Sequence, residues 1–313
     1  MKVSIIGGGG RVGSNAAFAL QCAAIVSEIH LLDANEQMAQ GEALDLMHGA
    51  SVAGDQQIYA GGYDRCADSD VVVITAGLRR KPEESRLDLI SRNAALFRQI
   101  LDSLQSAPLP GDAIIFVVSN PVDILTRLAI DHLKLDPKKV IGLGTQLDTA
   151  RFRSLIALEA GLPPSQVKAL ILGEHGDSMV PIWSSATAAG LPLVKMPNFG
   201  SAVQQRVFER TKASGAEAIK LKGGAGWAVG LTIAEAVHAI ALNQPSVLPL
   251  STRLSGEYDI RGVCTSLPTR IDRRGVVKRY EIDLWPREIC GIQSGAKSLD
   301  ATYAQMQTAR QNS

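Results

Sequence analysis

Through the first half of the chain, short runs of β-branched residues alternate with longer Ala- and Leu-rich segments. Val3–Ile6, Glu28–Leu32, Val71–Ile74, Ile114–Val118 and Val140–Leu143 have the length and composition of buried strands, bounded by Gly, Asp or Ser. Between them, Ser14–Ala24, Glu36–Met47, Leu89–Gln105 and Asp123–Leu133 have helical composition. This regular β-α-β alternation predicts a doubly wound parallel sheet with right-handed crossovers. From about residue 145 the pattern changes. Helical stretches (Thr149–Glu159, Ser201–Leu221, Gly226–Ala241) mix with strands that favour antiparallel pairing. The clearest pair is Cys264–Ile271 and Val276–Ile282 around the turn Asp272-Arg273-Arg274-Gly275. The expected class is therefore α/β, a parallel sheet over residues 1–145 followed by an α+β domain over 146–313, with a soft boundary near 142–148. The polar tail from Gln305 reads as a fraying helix end.

A length of 313 residues exceeds what one core organises, which agrees with two lobes. Hydrophobic residues at 46% and charged residues at 20% are globular values and exclude a disordered chain. Thirty-two Lys and Arg against 31 Asp and Glu leave a net charge of +1, so nothing electrostatic favours nucleic acid or an anionic membrane as partner. The N-terminus runs straight into glycines without an apolar signal segment, and no apolar run approaches a membrane span. Cys22, Cys66, Cys264 and Cys290 are scattered, without metal-like spacing, as expected of reduced thiols in a cytoplasmic enzyme that holds no metal.

Four glycines, Gly7 to Gly10, follow the first strand, and only Gly8, Gly10 and Gly13 fit the register G-x-G-x-x-G. A tight turn, a close approach to a pyrophosphate and close helix–strand packing each require one of these glycines, and the helix beginning near Arg11 would aim its first amides at the phosphates. The alternative is a plain turn. Asp33 lies twenty residues beyond Gly13, where a carboxylate can bond ribose hydroxyls and repel a 2′-phosphate. That favours NAD over NADP. Asp33 could instead cap the next helix, and Arg11, within the loop, could meet a phosphate.

Gly173-Glu174-His175-Gly176-Asp177 places a histidine on a glycine-flanked loop, a poor setting for core packing; a plain surface histidine is the alternative. Asp148 and Arg151 stand three apart on a starting helix. Asp148 either caps that helix or orients an imidazole. Transfer of hydride to or from a secondary alcohol needs a proton partner, which histidine suits near neutral pH, and cations to hold a carboxylate and polarise a carbonyl. Arg151 and Arg86 are available, the latter in a polar stretch, Leu78–Leu89, long enough to act as a lid. Asn120, in Ser119-Asn120-Pro121, ends the next strand and faces the ligand crevice expected there.

Taken together, the glycine loop with Asp33, Ala76-Gly77 with the Arg80–Arg86 stretch, Ser119-Asn120-Pro121, Leu147-Asp148-Thr149-Ala150-Arg151 and Gly173-Glu174-His175-Gly176-Asp177 resemble the lactate/malate dehydrogenase family over essentially the whole length. The resemblance implies an N-terminal Rossmann domain that holds NAD through Gly8, Gly10, Arg11, Val12, Gly13 and Asp33, with Asn93, Val118 and Asn120 around the nicotinamide half. It implies that His175 exchanges the proton, paired with Asp148, that Arg151 binds the substrate carboxylate, that Arg86 polarises the carbonyl, and that Asn120 touches substrate. It also implies a homodimer or homotetramer. Within the family, Arg80 stands where lactate enzymes usually carry glutamine, and Ala225 where they often carry threonine. Both point to a dicarboxylate, so the expectation is a lactate-dehydrogenase-like malate dehydrogenase of the tricarboxylic acid cycle. The segments around His175 and Gly226–Gly230 look more lactate-like, which keeps L-lactate dehydrogenase as the alternative. A catalytically silent dinucleotide sensor would lack the histidine, its acid or an arginine, and none is missing.

Overall fold

The computed structural model describes residues 1–79, 83–107, 109–197 and 199–311. The first half runs β1 (Lys2–Ile6), α1 (Arg11–Ala23), β2 (Glu28–Leu32), α2 (Glu36–Ala53), β3 (Gln57–Ala60), β4 (Val71–Ile74), α3 (Arg86–Gln105), β5 (Ile114–Val117), α4 (Val122–Leu133) and β6 (Val140–Gly142). These strands lie in the order β3-β2-β1-β4-β5-β6, all parallel. The order reverses between β1 and β4, the place where doubly wound sheets bind ligands. Both faces are covered, which is why the strands read as unbroken apolar runs rather than alternating ones. Val71, Val73, Ile114 and Phe116 enter the cluster on one face, whereas Val72, Ile74, Ile115 and Val117 enter the other. β3 escaped the sequence reading because it is an edge strand in which only Ile58 is buried.

The second half continues with α5 (Gln146–Ala160), β7 (Val167–Leu172), β8 (Val180–Ala188), β9 (Leu191–Pro192), α6 (Ser201–Lys222), α7 (Trp227–Ala241), β10 (Ser246–Ser255), β11 (Arg261–Asp272), β12 (Gly275–Arg279) and α8 (Pro286–Gln311). β7, β8 and β9 form a separate antiparallel sheet. The expected hairpin is β11–β12, closed at Asp272 opposite Gly275. It does not stand apart. β10 pairs with β6 through Ser251 and Gly142, so the antiparallel β10–β11–β12 extends the parallel sheet to nine strands. The polar tail from Gln305 continues α8 to Gln311.

Two glycines decide how the halves meet. A Cβ on Gly230 would lie 2.6 Å from the Asn15 carbonyl oxygen, and one on Gly226 would lie 2.0 Å from the Asn15 side-chain nitrogen. Only glycine lets α7 rest directly on the backbone of α1, and this brings residues 222–226 over the glycine loop. Among the described residues no helix is long and apolar enough to cross a membrane.

Candidate active site

The cleft opens at the switch between β1 and β4, as a cavity of about 700 Å³ whose lining includes Gly7, Gly10, Asp33, Tyr63, Ala76 and Ile100. Backbone shape makes it. Gly7 has φ +91°, and a Cβ there would come within 2.7 Å of the Ala76 amide nitrogen. A Cβ on Gly8 would lie 2.8 Å from that of Leu31, and one on Gly13 would lie 2.2 Å from the Gly7 carbonyl oxygen. At Gly10 the same atom would meet only that carbonyl, at 3.2 Å. Gly8 and Gly13 therefore serve internal packing, while Gly10 leaves its outer side open. Gly10 is the N-cap of α1, and no side chain caps the helix, so the amides of Arg11, Val12 and Gly13 remain free of a capping group. Uncapped first-turn amides beside an open cleft suit a pyrophosphate.

Asp33 lines the same cavity. It is not the cap of α2, a position held by Asn35, whose side chain accepts from the Met38 amide at 3.1 Å. The Asp33 carboxylate instead accepts from the Gly9 amide at 3.1 Å and the Asn35 amide at 3.0 Å, which fixes it against the glycine loop. Arg11 turns away from the phosphate position: its guanidinium donates to the Lys222 carbonyl at 2.5 Å and the Gly224 carbonyl at 3.0 Å. Asn93 is buried, and its amide engages the backbone of Leu78 and Leu89, steadying the chain after Gly77. Val118 is buried beyond the end of β5, and Asn120 follows at the exposed rim. Between them Ser119 donates to the Ala76 carbonyl at 2.5 Å, tying the ends of β4 and β5 together. In the sequence Ser119 was quoted within its motif without a role of its own, and Tyr63 and Ile100 were not singled out. Arg80 lies outside the described residues, as does the side chain of Arg86.

His175 and Asp148 come together because α5 is knitted to β7. The Thr149 hydroxyl accepts from the Ile171 amide at 2.9 Å, and the Thr145 hydroxyl donates to the Ile171 carbonyl at 2.5 Å. Gly173 then pairs with Ser266 of β11 through two backbone hydrogen bonds, turning the loop that carries His175 back over α5. Nδ1 of His175 lies 2.5 Å from one Asp148 oxygen, and the Arg151 guanidinium lies 3.2 Å from the other. The Asp148 side chain is only 2% exposed, while those of His175 and Arg151 keep 22% and 18% of their surface accessible. Asp148 does not cap α5; the capping position is Thr145.

The electrostatics follow from this packing. Burial alone would raise the Asp148 carboxyl, but His175 and Arg151 more than offset that and hold it below the usual carboxylate range. Burial alone would lower the His175 imidazole, but Asp148, with a further contribution from Asp123, raises it above its ordinary value. The arrangement is an imidazole whose protonated form is favoured by a buried carboxylate that also pairs with a guanidinium.

In the sequence Asp123 appeared only as the start of the helical segment Asp123–Leu133 and was given no role. It lies in the first turn of α4, is 3% exposed, and accepts from the His175 amide at 2.8 Å and the Ser251 hydroxyl at 2.5 Å. An acid in the first turn of a helix is the only signal the sequence offers for it.

Comparison with known proteins places both halves of the molecule. Residues 1–142 match the family model of the lactate/malate dehydrogenase NAD binding domain, and residues 145–309 match that of the lactate/malate dehydrogenase alpha/beta C-terminal domain. An L-lactate dehydrogenase of Salinibacter ruber is 39% identical over 96% of this chain and 96% of its own. One from Bacillus caldotenax is 38% identical over 97% and 96%. Among solved structures, the minor L-lactate dehydrogenase of Enterococcus mundtii in its ligand-bound form superposes with a TM-score of 0.92 at 35% identity, covering 97% of this chain and 98% of that one. A lactate dehydrogenase enzyme from a Medee basin deep-sea metagenome library gives 0.93 at 32% identity, covering 98% of each. These relatives overturn the expectation of a malate dehydrogenase: over nearly the full length they are L-lactate dehydrogenases. That expectation rested on Arg80 and Ala225, two positions weighed against a whole chain. The glycine loop, the open side of Gly10 and the anchored Asp33 fit a dinucleotide, and the cofactor is NAD. The chain belongs to the lactate/malate dehydrogenase family.

Proposed function

We propose that the protein is an NAD-dependent L-lactate dehydrogenase, interconverting pyruvate and (S)-lactate. The observation that carries the chemistry is the buried Asp148 carboxylate, held at 2.5 Å from His175 and 3.2 Å from Arg151. The bound nicotinamide supplies the two-electron chemistry. With Nδ1–H held by Asp148, His175 presents Nε2 to the substrate, gives its proton to the carbonyl oxygen as the alcohol forms, and takes it back in the reverse direction. The Arg151 fork grips the substrate carboxylate bidentately. Asn120 bonds the substrate oxygen, and Arg86 polarises the carbonyl when its segment closes. On the cofactor side, the uncapped amides of Arg11, Val12 and Gly13, approached across the open side of Gly10, would hold the pyrophosphate, with Gly8 packing the loop behind them; Asp33 would take the ribose hydroxyls, and Val118 with Asn93 would shape the nicotinamide end.

The division between cofactor-binding residues 1–145 and substrate-binding residues 146–313 is supported by the end of β6 at Gly142 and the start of α5 at Gln146. A cytoplasmic homo-oligomer fits the unpaired thiols and the exposed Phe18, Leu44, Trp227 and Leu231 on α1, α2 and α7. Initial rates with pyruvate and oxaloacetate, each with NADH and NADPH, test the reading. The highest kcat/KM is expected for pyruvate with NADH. A higher value for oxaloacetate overturns the substrate assignment.

A further inference from the structure

We propose that Asp123 is a positioning residue for His175, clamping the backbone of the loop that carries it to β10 and placing a second carboxylate beside that residue. This rests on the reading of His175 as the proton donor. Both Asp123 oxygens are spent on segments remote in sequence, the His175 amide at 2.8 Å and the Ser251 hydroxyl at 2.5 Å, separated from it by 52 and 128 residues. It is not a local helix cap, because Pro121 holds that position in α4 and no side-chain cap bond is made. Together with the Gly173–Ser266 bridge, Asp123 fixes the loop at the two residues flanking Glu174.

The charge matters apart from the bonds. An asparagine could make both of them, accepting from the His175 N–H and donating to Ser251. A carboxylate 3% exposed carries the additional cost of desolvation. What it supplies, and asparagine does not, is a negative charge near the imidazolium, and that charge raises the His175 pKa. The other titratable groups facing Asp123 are Glu174 on the same loop and Cys264 on β11. The buried thiol is pushed up to about 12 and stays neutral. Burial pushes Asp123 itself to about 6, so its charge is present at neutral pH and fades in mild acid.

The test is kcat/KM for pyruvate against pH at saturating NADH, with NADH affinity measured by fluorescence. In D123N the alkaline limb, where His175 loses its proton, is expected to move down by about half a pH unit or more, with NADH affinity unchanged. D123A also loses the clamp, and a further fall of about a hundredfold in kcat is expected from the misplaced imidazole. S251A leaves the fold least disturbed. It removes one support of the carboxylate and should move the limb in the same direction by less. If the limb stays at the parent position in both S251A and D123N, or in S251A alone where D123N does not fold, Asp123 is structural only. Turnover surviving in H175N would instead sink the acid–base reading itself. A dead H175N beside D123N and S251A with the parent limb sinks only this proposal.

Discussion

Around the glycine loop, the atoms that shape the cleft are largely backbone, and they come from neighbouring crossovers: Gly7 beneath Ala76, Gly8 against Leu31, Gly9 donating to Asp33 only 24 residues away. Around His175 they are largely side chains gathered across the chain, with Asp148, Asp123 and Ser251 arriving from α5, α4 and β10. The first region is a matter of where a Cβ can be tolerated. The second is a matter of which buried charges are paired. Mutations should separate the two: methyl groups ought to break the former, and isosteric neutralisation the latter.

The largest effect is expected on the charged side. H175N should lose about 10²- to 10⁴-fold in kcat while binding NADH within about twofold of the parent, because it removes a proton donor and leaves the backbone of the cleft untouched. Stopped-flow reduction of pyruvate alongside NADH fluorescence titration would show it, and comparable losses in both measurements would erase the contrast.

Stability gives the next. Asp123 is raised from 3.8 to about 6 in the folded chain, so the folded state holds a proton that the unfolded state has released across that window. Stability contributed at this site therefore falls as pH rises through it, by about 3 kcal/mol in total at about 1.36 kcal/mol per unit. The raised His175 acts in the same sense, losing its contribution as pH rises through its folded value, whereas the lowered Asp148 loses its contribution as pH falls. Denaturation curves of D123N should lie above the parent at pH 7.5 and converge with it below pH 4. Parallel curves at both pH values would contradict the burial argument.

On the backbone side, G13A puts a methyl 2.2 Å from the Gly7 carbonyl oxygen, whereas G10A meets the same atom at 3.2 Å. The first should cost about 1–3 kcal/mol in folding and most NADH binding. The second should fold normally. Thermal melts of the two variants decide, and equal melting temperatures would mean the loop relaxes freely. Smallest of all, D33A should shift the NADH-to-NADPH preference by roughly tenfold, the equivalent of about 1.4 kcal/mol. An unchanged ratio would assign cofactor choice to the loop backbone alone.

The same contrast explains what could be read before the fold was known. Val71–Ile74 and Ile114–Val117 announce themselves because burial on both faces leaves an unbroken apolar run, whereas β3 is an edge with Gln57 exposed and carries no such mark. His175 was visible because two glycines leave it no packing role. Asp123 was not, because an acid at a helix start looks the same whether it serves its own helix or a loop 52 residues away. Arg11 lies in a phosphate-binding loop by position, yet its guanidinium reaches carbonyls 211 and 213 residues further on, a contact that no local pattern encodes. The substrate end was misjudged for a related reason: two side chains were asked to outvote the rest of the chain.

The seating of α7 on α1 through Gly226 and Gly230 has a consequence for dissecting the molecule. Ala16, Ala17 and Leu20 of α1 share one buried cluster with Val229, Ile233 and Val237 of α7, so the cofactor half covers its own outer helix with a segment encoded after residue 226. Cutting the chain between β6 and α5 would therefore not release a finished nucleotide-binding module. It would leave two pieces, each carrying an apolar strip that matches the other, and their natural fate on mixing is fragment complementation rather than independent life.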